Sequence, residues 1–295
     1  MWRTRSLINT LWIQSYLRFY EIMHYPVPTN AELYFQYSDI SDKNKIWIKD
    51  TIQTDDKSDR FSRSKKCKYM DEYLSEINRL EKIFKSIPFV EQIYLCNSLT
   101  FNALDKDSDI DLFIIAEPWR IRTVKLRSAI LFFLKWAKRH WNSIRKKICL
   151  SFFITSDQQN LYPISLPSLD IYLCYWIAHL VLIYNSDESK KSEIFSQNKR
   201  VKWILPNFKN EQTISLWINP FSWSTFFKRL IERLWNWFIW NIWEKLSKLI
   251  QKPIIDLKRI IHSEQNKDVI VKDCMLKFHL DIREKISLLY NVKVK

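Results

Sequence analysis

A chain of 295 residues with 47% hydrophobic content is long enough to bury one large core or two modest ones. Its formal net charge of +15 favours an anionic partner: nucleic acid, free nucleotide or an acidic membrane surface. Its odd set of cysteines, Cys67, Cys96, Cys149, Cys174 and Cys274, contains no C-x-x-C pair, which argues against a disulfide framework or a regularly spaced zinc site and for a reducing compartment.

No run of residues approaches the roughly 18 uncharged apolar positions that a membrane span needs. The nearest, Leu234 to Trp243, is short and flanked by Arg233 and Glu244. The first twenty positions carry Asn9, Gln14 and Arg18 and make a poor secretory signal. A cytoplasmic protein is the expectation.

The chain has no glycine and 14 tryptophans, where average usage would give roughly 20 glycines. Some tryptophans stand where the backbone calls for glycine. Trp119 follows Pro118 in a Glu-Pro-Trp-Arg segment, and a turn with proline at its second position often needs positive φ at the next residue. Trp141 lies between a predicted helix and a strand. Our hypothesis is that many of these tryptophans come from UGA codons that the source organism reads as glycine; UGG codons at Trp119 and Trp141 would end the idea.

In chain order, residues 6–37 predict two helices broken at Tyr25-Pro26-Val27-Pro28, and Ile46-Trp47-Ile48 predicts a short strand. Together these suggest a winged-helix-like module over 1–50. The polar, charged stretch 51–70 predicts a linker or exposed loop. Tyr73, Ile77, Leu80, Ile83 and Phe84 form a helical stripe ending at Pro88. Strands are predicted at Ile93 to Cys96, Asp109 to Ile115 and Ile148 to Thr155, with a long helix from Arg120 to Lys138 between the last two. Helices are expected over 168–180 with an end near Tyr184-Asn185, and over 187–205, 221–250 and 273–290. The core is thus placed at 71–185 and a helical C-terminal region at 186–295.

The chemistry concentrates in two neighbouring segments, Cys96-Asn97-Ser98-Leu99-Thr100-Phe101-Asn102 and Asp107-Ser108-Asp109-Ile110-Asp111-Leu112. On a strand, residues i and i+2 share a face, so Asp109 and Asp111 present two carboxylates from one rigid element. Mg²⁺ takes hard oxygen ligands, commonly one or two carboxylates plus phosphate oxygens. Ser98 follows a strand at a turn, where its hydroxyl and nearby amides suit phosphate. An Asp-x-Asp alone can be turn chemistry; the preceding strand and serine make the pattern more specific. Arg120, Arg122, Lys125 and Arg127 follow the second strand and are either a solvated helix face or phosphate contacts. The five histidines form no metal-ligand spacing. The basic, tryptophan-bearing 221–250 segment is either a packing element or a surface for membrane or nucleic acid.

Residues 90–116 resemble the signature of the polymerase-beta-type nucleotidyltransferase superfamily, a Gly-Ser pair followed by Asp-x-Asp. The wider chain is similar to bacterial nucleotidyltransferase-domain proteins with an N-terminal winged-helix-like part, through Asn97 to Asn102, Leu150 to Ile154, Asn160-Leu161-Tyr162-Pro163 and Met275 to His279. The resemblance implies an α/β (α+β) core with a short mixed sheet and flanking helices. It further implies Mg²⁺ on Asp109 and Asp111, nucleotide phosphates on Asn97 and Ser98, and transfer of a nucleotidyl group from an NTP to an acceptor. The acceptor stays open between nucleic acid, protein and small molecule. The alternative is a catalytically weak nucleotide- or nucleic-acid-binding regulator on the same fold.

Two departures stand out. The family's glycines are Asn97 and Asn102 here, and asparagine is the non-glycine residue most tolerant of left-handed backbone. The third carboxylate, usual on the next core strand, is missing from Ile148 to Ile154, which offers Cys149 and Ser151. Asp157, beyond that strand, is the first substitute to consider.

Overall fold

In the computed structural model the described residues are 17–23, 25, 69–139, 143–167, 170–187, 192–205, 232, 237–261, 269–278 and 286. Most of the expected winged-helix-like module, residues 51–68 of the expected linker and residues 206–231 lie outside them, and Met70 at the end of that linker opens a helix.

Helices α1 (Met70–Arg79) and α2 (Glu81–Ser86) lead into β1 (Val90–Cys96), a 3-10 turn (Asn97–Leu99) and β2 (Ile110–Ala116). Helix α3 (Ile121–Leu134) crosses to β3 (Ile148–Thr155), and a second 3-10 turn (Tyr162–Ile164) precedes α4 (Ile171–Ala178) and β4 (Val181–Asn185). Short helices α5 (Ile194–Gln197) and α6 (Val201–Ile204) follow, then the long α7 (Trp237–Ile261), β5 (Ile270–Val271) and β6 (Met275–Lys277). The strands form one mixed six-stranded sheet in the order β4-β1-β2-β3-β6-β5. Strands β2 and β3 are parallel, and the other neighbours are antiparallel. The chain is therefore α+β, with helices on both faces of a mixed sheet.

Every residue of β2 is buried, as expected of a central strand covered on both faces. Phe113 and Ile115 point into a core shared with α4 and with Phe19 and Tyr20 of the helical stretch at 17–22. Ile110, Leu112 and Ile114 point into a second core with α1, α2 and α3. The described part of the first fifty residues thus packs directly on the sheet domain. Phe19 lies against Tyr175 (ring centroids 4.7 Å apart), and the Tyr20 hydroxyl lies 3.1 Å from His179 Nε2. His179 is a satisfied core residue, since its Nδ1 also meets the Tyr175 carbonyl at 2.8 Å.

Several sequence expectations change. Val181–Asn185 is a strand on the edge of β1, not the tail of a helix; its apolar run is continuous with α4, and periodicity cannot separate the two. Residues 275–277 pair with β3, so the helix expected over 273–290 does not begin there. The helix expected over 187–205 is two short helices among the described residues. The helical stripe from Tyr73 to Phe84 is split at Leu80 into α1 and α2.

Helix α3 stops four residues before the expected Lys138, and the stop has a specific geometry. The Trp136 N–H bonds the Phe133 carbonyl and the Ala137 N–H bonds the Phe132 carbonyl, both at 2.9 Å, while Trp136 takes φ 53°. This double closure with a left-handed residue is the helix ending that ordinarily selects glycine. Trp119 behaves similarly: the Arg120 N–H closes on the Glu117 carbonyl at 3.2 Å and Trp119 has φ 63°. The positive φ expected after Pro118 is therefore present. Both side chains are largely exposed, at 74% and 78% for Trp119 and Trp136, so neither residue gains packing in return. Trp141 lies outside the described residues.

The other end of α3 is held by α7. The Glu244 carboxylate accepts from the N–H groups of Arg122 and Thr123, each at 2.8 Å, where α3 has no side-chain cap of its own. A carboxylate on first-turn amides answers both the unpaired donors and the positive helix end. Arg120 donates to Asn241 Oδ1 at 2.7 Å and Gln251 donates to the Arg122 carbonyl at 2.8 Å. Arg120 and Arg122 are buried, and Lys125 and Arg127 lie over the rings of Phe278 and Trp243. Arg120, Lys125 and Arg127 thus place their cationic groups against α7 and the β6 segment, and Arg122 is tied to α7 through its backbone. Arg120 and Arg122 are buried rather than on the solvated face considered from sequence, while Lys125 and Arg127 are half-buried. No helix among the described residues is long and apolar enough to cross a membrane.

Candidate active site

The site grows from the register of three strands. Cys96, the last residue of β1, pairs with Asp111, and Asp111 pairs across the parallel ladder with Cys149. Asp109 stands just ahead of β2 and shares the face of Asp111. Ligand atoms of Asp109, Asp111 and Cys149 all lie within 4.8 Å of one another. The two carboxylates that sequence placed on one face are brought together, and the third member is the cysteine of the neighbouring strand.

The turn after β1 is shaped by two left-handed asparagines. Asn97 has φ 59° and Asn102 has φ 54°, the positions where the resemblance calls for glycine. The backbone closes through Thr100 N–H to Asn97 O at 3.0 Å and Ala103 N–H to Ser98 O at 2.8 Å. Ser98 is thereby held in the first turn of a 3-10 segment, whose opening amides have no partner within the helix. Asn97 also does what glycine cannot: its Nδ2 donates to Asp111 Oδ2 at 2.9 Å, and its Oδ1 accepts from Trp176 Nε1 at 2.8 Å. Trp176 is stacked on Phe152 and edge-on to Phe113. An apolar wall from α4, β2 and β3 thus fixes the orientation of one site carboxylate through one amide.

The loop carrying Asp109 is fixed from outside. The Tyr73 hydroxyl of α1 donates to the Ser108 carbonyl at 2.7 Å, and the Lys146 N–H reaches the same oxygen at 2.9 Å. The Ser108 hydroxyl accepts from the Asp105 N–H at 2.8 Å. Asp107-Ser108 is thus turn chemistry, as considered from sequence, and that turn delivers Asp109.

Electrostatics follow from this crowding. Burial first, then the charge of Asp111, raise the Asp109 carboxyl above its ordinary range, against the opposing charge of Arg139. Burial, followed by Asp111 and Asp109, pushes the Cys149 thiol well above the usual thiol value. Arg139 is the member that sequence reasoning missed. It forms an ion pair with Asp109 and places Nη1 3.9 Å from Cys149 Sγ. No local signal marks it; only the bridge that pairs Lys138 with Ile148 brings it to the site. Asp157 is exposed beyond the opposite end of β3, so it does not join the cluster. Its place as substitute third acid is corrected by that position.

Tyr25 adds an aromatic edge. It stacks on Phe101 of the turn with ring centroids 5.0 Å apart, and burial, then Asp111, raise its hydroxyl well above the ordinary tyrosine value. Comparison with known protein families, curated proteins and solved structures finds no match to this chain.

Proposed function

We propose that this chain is a Mg²⁺-dependent nucleotidyltransferase that moves a nucleotidyl group from an NTP to an acceptor. The observation that supports it is the convergence of Asp109 and Asp111 beside the Asn97-Ser98 turn. Two carboxylates fit one Mg²⁺ whose remaining positions are taken by phosphate oxygens and water. Bound there, the ion would neutralise charge on the transferred phosphoryl group.

The chain's own residues have separable tasks. Asp109 and Asp111 hold the ion, and Asn97 keeps Asp111 in orientation. The Ser98 hydroxyl and the opening amides of its turn bind nucleotide phosphates. Incubation with labelled NTPs, Mg²⁺ and a panel of RNA, protein and small-molecule acceptors tests this. Label on an acceptor with wild type, lost in Asp111→Asn, is expected; no label on any acceptor sinks the transferase reading.

One observation favours a second reading. Cys149 stands on the strand where the superfamily's third carboxylate is usual, and Asp157 is at the wrong end. A protonated thiol is no general base for an acceptor hydroxyl. A nucleotide-binding regulator on the same fold would show Mg²⁺-dependent NTP binding without transfer.

A further inference from the structure

Mg²⁺ accounts for two of the three donors that the fold assembles, and leaves the sulfur of Cys149 without a role. We infer that Cys149 is itself a metal ligand. The site takes a thiophilic divalent cation, of the Zn²⁺ or Co²⁺ class, through Asp109, Asp111 and Cys149 more tightly than it takes Mg²⁺. This rests on the metal-site part of the proposed function and deepens it.

Three observations carry the inference. Register fixes Cys149 directly opposite Asp111, so the sulfur is delivered by the sheet rather than by a loop. The three donors lie within 4.8 Å of one another. With metal–sulfur bonds of about 2.3 Å and metal–oxygen bonds of about 2.1 Å, ligand atoms in a tetrahedral site sit roughly 3.5 Å apart, so small side-chain rotations close the set. Finally, a cation already addresses this cluster: the Arg139 guanidinium is paired to Asp109 and lies beside the Cys149 sulfur. Asp109 and Cys149 therefore share a seat for positive charge that a divalent ion would take over, with Arg139 moving aside.

Ligand softness supplies the selectivity. Thiolate favours borderline and soft ions, whereas Mg²⁺ takes hard oxygen ligands and dehydrates reluctantly. On binding, the Cys149 S–H bond breaks, its proton passes to solvent, and the sulfur–metal bond forms with no change of oxidation state. A fourth position stays open for water or a phosphate oxygen, which distinguishes this from a closed structural site.

Co²⁺ titration of the full chain tests the inference. A thiolate-to-cobalt charge-transfer band is expected in wild type and in Cys67→Ser, Cys96→Ser, Cys174→Ser and Cys274→Ser. It should be absent in Cys149→Ser, whose folding is checked by circular dichroism. Mg²⁺ at about 100-fold excess should leave the band in place. A band that survives in Cys149→Ser, that is lost only with another cysteine, or that 100-fold Mg²⁺ abolishes overturns the inference. So does Co²⁺ binding without any such band. The two proposals fail separately: transfer supported by Mg²⁺ with no thiolate band leaves the transferase reading intact. A band with no transfer to any acceptor leaves Cys149 a ligand and removes the transferase.

Discussion

The two ends of strands β2 and β3 differ in what they do with polar groups. Where the strands begin, Asp109, Asp111, Cys149 and Arg139 converge on one point. Where they end, Ala116 and Thr155 are paired, the Ser156 N–H closes on the Ala116 carbonyl at 2.9 Å, and the Ser156 hydroxyl reaches Glu91 at 2.7 Å. Because β2 and β3 are parallel, the ladder carries Asp111 and Cys149 to the same end. Six residues of extended strand separate Cys149 from Thr155, roughly 20 Å at about 3.3 Å per residue, and Asp157 lies in the turn beyond. Charge at one end of the sheet cannot substitute for charge at the other.

The largest expected effect breaks the charged end. Asp111→Asn keeps an oxygen that can accept from Asn97, so the turn and the fold survive. It removes one of two carboxylates from the cation seat, and Mg²⁺-dependent NTP affinity should fall by about 100-fold, near 3 kcal/mol. Asp157→Asn, at the other end, should change affinity less than about twofold. Calorimetric titration of both variants decides it, and equal losses would refute the contrast between the ends.

A second variant sharpens the contrast by completing the charged end. Cys149→Asp puts a carboxylate where the ladder now holds a thiol. A base of ordinary strength beside the acceptor hydroxyl contributes about 10²-fold or more, so Mg²⁺-supported turnover should rise by that order while the Co²⁺ thiolate band disappears. The measurement is kcat with Mg²⁺ for wild type and variant. An unchanged kcat would mean that the missing third acid does not limit the rate.

The sequence made the charged end legible because its signals are local. Asp109 and Asp111 are two residues apart on one strand, and Ser98 follows the strand that pairs with it. The left-handed Asn97 and Asn102 were expected from the resemblance, which calls for glycine at both positions. Arg139 was not, because its pairing with Asp109 depends on how α3 returns to β3. Strand β6 has three residues, too few for any alternation to show. The burial of Arg120 and Arg122 also escaped notice, because their partners Asn241, Glu244 and Gln251 lie more than a hundred positions away.

Smaller effects come from the backbone around this framework. Trp136 holds φ 53° at the end of α3 with its ring exposed. A non-glycine residue in this region costs about 1 kcal/mol or more, and here no buried contact offsets it. Trp136→Gly should therefore stabilise the protein by about 1 kcal/mol, raising Tm by roughly 2–4 °C, and Trp119→Gly should act similarly. A lower Tm would show that the rings contribute contacts of their own. The same positions bear on glycine's absence from the chain: UGA codons in the gene at Trp119 and Trp136 would support reassignment, and UGG would leave genuine tryptophans under strain.

The smallest effect lies at Glu72, on α1 outside the site. Its carboxylate pairs with Lys146 at 2.6 Å and Arg145 at 3.2 Å, and Lys146 N–H in turn holds Ser108, next to Asp109. The hydrogen bond from Lys146 is the main cause that lowers the Glu72 carboxyl below its ordinary value, joined by the charges of Lys146 and Arg145. A carboxyl lowered in the folded state contributes stability that is present above its unfolded value. That contribution is lost as pH falls through its folded value. Glu72→Gln should therefore melt slightly below wild type near neutral pH, with the gap closing as pH drops below about 4, the ordinary glutamate range. Because the pair is exposed, salt at about 0.5 M should also close much of the gap. Metal affinity should move even less than Tm, since Tyr73 still holds the Ser108 carbonyl at 2.7 Å. A large loss of metal binding in Glu72→Gln would mean that the Lys146 turn, rather than Tyr73, sets the position of Asp109.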